Sequence, residues 1–127
     1  MATGLSAYTA NKFLDALGNA TAFSVTDVYI KLHVGDPGGN GTSNPATETT
    51  RKVVTFAAAS NGTIASDSAA TWTNIAGSED ATHFTSWDNL TAGNFLFSGT
   101  VTSNPYTAGD TVTIASGSLT ASLTVAS

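Results

Sequence analysis

Val28-Tyr29-Ile30-Lys31-Leu32-His33-Val34 is the stretch that decides the fold. Val28, Ile30, Leu32 and Val34 alternate with Tyr29, Lys31 and His33, and a period of two puts one set on each face of a pleated strand. This predicts a first strand with its aliphatic row turned to the core and His33 turned outward. Asp36-Pro37-Gly38-Gly39-Asn40-Gly41 ends the strand, because proline fixes φ and glycine permits positive φ. The polar run from Gly38 to Thr50 is expected to be a long exposed loop.

Upstream, the period changes. Ala10, Phe13, Leu14 and Leu17 follow the i, i+3, i+4, i+7 spacing of one helical face, which predicts a helix over residues 5–18. Ser6 or Thr9 is placed to cap its start, and Gly18 is a suitable left-handed stop. The expected place for the apolar face is the edge or open end of a sheet, with a docking arm as the alternative. Downstream, period two returns at Val54, Phe56 and Ala58, and Asn61-Gly62 is a hairpin dipeptide leading to a strand from Thr63 to Ser66. Further strands are expected at 69–74 around Trp72, at 81–87, at 94–101 with Phe95, Phe97, Gly99 and Val101 on one face, and around Val112 and Ile114. Gly77-Ser78-Glu79-Asp80, Asp88 to Gly93, Asn104-Pro105 and Ala108-Gly109-Asp110 are the joints. Leu119, Ala121, Leu123 and Val125 alternate in the last strand. The fold class is therefore mainly β, an antiparallel β-sandwich or barrel of about eight strands with one short N-terminal α-helix. Residues 1–127 are expected to form a single domain, with the β body over 25–125.

Composition agrees. The chain has 22 Thr and 14 Ser among 127 residues but only 10% charged residues, so hydroxyls do the solvating that Lys and Glu usually do. Threonine is β-branched and suits a pleated surface. The net charge of −5 opposes the counterion release that drives binding to nucleic acid or anionic lipid, so neither partner is expected. No stretch approaches the ~20 apolar residues of a membrane span, and Met1 to Ala10 lacks the regions of a signal peptide. Zero cysteines remove disulfides, thiol catalysis and thiolate metal sites.

Searches for chemistry yield little. His33 and His83 have no G-x-S-x-G, H-E-x-x-H or paired-carboxylate motif nearby, so no catalytic residue is assigned and the chain is not expected to be an enzyme. Asp36, Glu79, Asp80, Asp88 and Asp110 are dispersed without the spacing of a calcium loop; no metal or cofactor is expected. Gly38-Gly39-Asn40-Gly41 lacks the lysine and the helix N-terminus of a phosphate loop. The Asn-x-Thr triplets at Asn19, Asn40, Asn61 and Asn89 occur at close to the frequency chance predicts in so hydroxyl-rich a chain. Trp72, Trp87, Tyr29 and Tyr106 would form a sugar-stacking platform if they faced outward together, although core positions are favoured for both tryptophans.

The string Val28 to Gly38, with its Leu32-His33 followed by Asp36-Pro37-Gly38, resembles a family of small tailed-bacteriophage virion proteins. The resemblance continues through Arg51 to Phe56, Ala70-Thr71-Trp72, Thr82 to Trp87 and Phe95 to Gly99, covering roughly residues 10–100. Relatives often have Leu-His-Thr-Ala-Asp-Pro-Gly where this chain has Leu32-His33-Val34-Gly35-Asp36-Pro37-Gly38, a departure that keeps the turn.

The resemblance implies a virion structural protein, assembled in the bacterial host cytoplasm. Capsid decoration is the favoured expectation, because a chain without heptads or collagen-like repeats suits a cap better than a fibre shaft. A minor tail or tail-tip protein is the alternative, and a carbohydrate-binding module is the alternative of another class. The expected partners are other virion proteins, the major capsid protein before tail proteins, and further copies of the chain, a trimer being one closed arrangement. Residues 1–6 and the stretch from Gly38 to Thr50 are the expected contact segments.

Overall fold

The alternation starting at Val28 becomes β1 (Val28–His33) of a computed structural model that describes residues 3–127. The rest of the order is α1 (Ala7–Gly18) before it, then β2 (Lys52–Val54), β3 (Thr63–Ala65), β4 (Ala70–Trp72), β5 (Glu79–Trp87), β6 (Phe95–Tyr106), β7 (Val112–Ile114) and β8 (Thr120–Ser122). Strands β2-β1-β5-β6 form one antiparallel sheet, and the pairs β3-β8 and β4-β7 supply a second layer. The end strands β2 and β6 do not pair with each other, so the arrangement is sandwich-like and not a closed barrel.

Register explains the two faces of the larger sheet. Ile30 stands opposite Ser86 and Leu32 opposite Phe84, and Ile30, Leu32 and Phe84 are buried against Trp72, Ile75 and Leu119. Each buried aliphatic side chain of this set contributes about 1.5–3 kcal/mol. Gly99 lies opposite Phe84, where a Cβ would come within 2.7 Å of the ring. On the other face, Tyr29 pairs with Trp87, Lys31 with Thr85 and His33 with His83.

That second face corrects one expectation. His33 does alternate away from the aliphatic row, yet it is completely buried. The following loop folds back over it: Val34 N–H donates to Asn44 O, Ala46 N–H donates to Leu32 O, and Pro45 bridges to His33. The Gly38 to Thr50 stretch is thus fastened to β1, although most of its side chains between Thr42 and Thr50 remain exposed.

Several boundaries also move. Glu79 and Asp80, expected in a joint, open β5, and β6 runs on through Asn104-Pro105. Pro105 is tolerated because β6 is an end strand, where a missing N–H breaks no interior ladder. The Asn61-Gly62 hairpin forms as expected, with φ values of 50° and 76° and reciprocal bonds between Ser60 and Thr63. The last strand is shorter than its alternation suggests: Leu119 is buried, whereas Leu123 and Val125 are 50% and 45% exposed.

The helix is anchored by its start. Ser6 caps it, its hydroxyl accepting from Thr9 N–H at 3.1 Å while donating to Phe95 O at 2.6 Å. Ser6 N–H donates to Leu96 O, and Leu5 bridges to Phe97, so the first turn sits on the β6 edge. The expected packing of Phe13, Leu14 and Leu17 on the sheet does not follow. Thr9 is the buried residue of α1, whereas Leu14 and Leu17 are 63% and 84% exposed. The stop is Asn19, whose N–H returns to Asp15 O, with the left-handed residue at Ala20 instead of Gly18.

Candidate functional site

The groups singled out from sequence for chemistry are bound into structure. His33 Nδ1 lies 2.8 Å from Ser43 O and its Nε2 lies 2.9 Å from Thr85 Oγ1. Burial, with smaller contributions from Lys31 and His83, pushes the pKa of His33 below the usual imidazole value. His83 Nδ1 meets Thr82 Oγ1 at 2.9 Å. Among the described residues neither ring hydrogen-bonds a carboxylate, so the arrangement of a Ser-His-Asp site is not formed.

The dispersed carboxylates act as loop staples. Glu79 accepts from Thr47 N–H at 2.7 Å and from Tyr106 O–H at 3.2 Å, while Asp80 accepts from Ser103 O–H at 2.6 Å and Asn104 N–H at 2.7 Å. Asp88 accepts from Asn94 N–H at 2.7 Å, Asp36 from Gly38 N–H at 2.8 Å, and Asp110 from Thr107 N–H at 2.9 Å. Burial and the neighbouring Glu79 carboxylate push the Tyr106 phenol up to about 12. Among the described residues no three ligand-type side chains gather as a metal site would need.

The aromatic platform is not assembled either. Trp72, Trp87 and Tyr106 are 1%, 8% and 7% exposed, and Trp72 Nε1–H donates to Thr50 O at 2.7 Å. Arg51 lies over the Trp87 ring at 4.3 Å from its centroid and donates to Asn89 O and Ala92 O. Period-two reading places Trp87 correctly but gives no sign of this clamp, because the loop that Arg51 holds is distant in sequence.

One open surface is apolar. Between α1 and the β3-β8 pair runs a groove of about 380 Å³, lined by Leu5, Phe13, Phe23, Val28, Phe56, Ile64, Leu96 and Leu123 among others, and by no charged side chain among the described residues. Phe23 stands edge-on to both Tyr8 and Phe13, at 6.2 Å and 5.8 Å. This one ring of the 19–27 connection covers part of the helix, and Leu14 and Leu17 continue the apolar surface outward. The expected contact segment at residues 1–6 only touches this region through Leu5; Met1 and Ala2 lie outside the described residues. Phe23 and Val25, alternating just before β1, were the available sequence signal for the groove.

In comparison with known families, residues 4–122 match the model described as "Podophage GP4 fiber I protein gp80". No curated protein matches the chain.

Proposed function

We propose a place in the virion from one premise: the chain belongs to the family of the podophage GP4 fiber I protein gp80. It is a structural component of a phage virion. Within the virion we assign it to the fibre or tail apparatus, in preference to capsid decoration, because the family is one of fibre proteins and the match spans almost the whole chain. A sandwich-like body without heptads suits a terminal or joining piece of a fibre better than its shaft.

In this role residues 1–127 act as one domain that lodges against neighbouring tail proteins or further copies of itself. The groove beside α1, with Leu14 and Leu17, is the surface assigned to that contact. Large exposed apolar patches mark interaction sites on soluble proteins, and an uncharged one suits association of a chain carrying a net −5. The family match carries the assignment; the groove supports its location.

Separated heads and tails from intact particles test it. Mass spectrometry should find the chain in the tail fraction in few copies, with density at the fibres. Many copies on the shell lattice would return the protein to capsid decoration.

A further inference from the structure

His33 sits where three separate parts of the chain meet: β1, β5 and the loop that returns over β1. Ser43 contributes a carbonyl, which only accepts, so the ring nitrogen facing it at 2.8 Å carries the hydrogen. In the neutral ring Nε2 must then accept, and the Thr85 hydroxyl at 2.9 Å donates to it. Thr85 Oγ1 in turn accepts from Trp87 Nε1–H at 2.7 Å. The side-chain polar hydrogens of Trp87, Thr85 and His33 are each used once, in a place where His33 and Thr85 are both completely buried.

A second proton on His33 breaks this order. Nε2–H and Trp87 Nε1–H would both point at Thr85 Oγ1, and the threonine hydrogen would lose its acceptor inside the protein. The charge would also be poorly placed. His83 stands directly across the ladder from His33, and Lys31 lies two residues back on the same face. The carboxylates on adjoining elements are engaged elsewhere: Asp36 of the covering loop with Gly38, and Glu79 and Asp80 at the far end of β5 with Thr47, Ser103 and Asn104.

We propose that the Trp87-Thr85-His33-Ser43 chain is an acid-sensitive latch that holds the 36–46 loop on β1 near neutral pH and releases it when His33 becomes doubly protonated. The loop is the surface segment whose shape then depends on acidity, and Val34 and Ala46, whose amides bond across it, report its closure. Burial, which holds His33 below the ordinary imidazole range, fits a ring that must stay neutral to keep the loop shut.

Residue-resolved amide exchange of the full chain tests the latch. Between about pH 7.5 and about pH 5, opening at Val34 and Ala46, corrected for intrinsic rates, should rise severalfold. His33→Gln should remove that acid response. Unchanged protection in the wild type, or the same acid response in His33→Gln, overturns the proposal. Should His33→Gln fail to fold, the imidazole nitrogen shifts of the wild type decide. Charging of the ring in step with opening at Val34 and Ala46 supports the latch; a ring that charges under a closed loop, or that stays neutral under one, overturns it.

Discussion

The two sides of the helix-bearing end and the loop-covered face treat the same kind of sequence signal in opposite ways. On β1 the polar row Tyr29, Lys31 and His33 is half-buried at its first two members, and at His33 a returning loop closes it completely. On α1 an apolar row, Phe13, Leu14 and Leu17, meets the Phe23 ring of the connector at Phe13, while Leu14 and Leu17 stay exposed. Amphipathic patterning therefore tells which side chains lie together on one face. Whether that face is closed depends on what the connections can reach. The roof is long and tied by backbone bonds from Val34 and Ala46, while the 19–27 connection turns directly into β1.

The contrast is sharpened most strongly by truncation. Phe84→Ala, at a 1% exposed position facing Gly99 and packed against Phe97, should lose about 3–5 kcal/mol in chemical denaturation. A loss near zero would mean that the sealed layer is not the core. Thr85→Val comes next, because it orphans both Trp87 Nε1–H and His33 Nε2; each buried orphan costs about 1–3 kcal/mol. If Thr85→Val proved as stable as the wild type, the roofed face would be wetter than its burial implies.

Acidity gives a third, smaller effect. His33 has its folded pKa lowered, so below the unfolded value of about 6.5 the unfolded chain binds more protons than the folded one. Its contribution is complete above that pH and declines as pH falls toward the folded pKa, by at most about 1.4 kcal/mol per pH unit. The gap between the denaturation midpoints of wild type and His33→Gln should change only in that window, moving against the wild type as pH falls. The smallest stability change belongs to the open side: Leu17→Ser, at an 84% exposed position, should stay within about 0.5 kcal/mol of wild type. The same substitution should nevertheless reduce incorporation into particles, and unimpaired assembly would separate the groove from the contact assigned to it.

Much of the fold was legible in these residues. The alternation from Val28 gave β1, Asn61-Gly62 gave its hairpin, and Ser6, one of two capping candidates beside Thr9, is the helix cap, because each depends on neighbours close in the chain. The failures share a cause. Glu79 and Asp80 look like turn residues until Tyr106 and Asn104 stand opposite them, and Pro105 looks like a break until its strand proves to be the last in the sheet. Burial of His33 required a loop whose return is fixed by long-range bonds, with no local signature. The candidate groove was the least legible part, since its walls come from α1, the connector, β3, β6 and the C-terminal segment.

The ends of the larger sheet carry a consequence for crowded assemblies. One side of β6 is occupied near its start by Gly4 and Ser6, whose backbones bond Ser98 and Leu96, and Pro105 interrupts it near its finish. At the opposite border, β2 is three residues long and begins with Lys52. Short, charged or proline-bearing borders resist zipping to another sheet. Copies of the chain that meet can thus pack without merging into an amyloid-like ribbon.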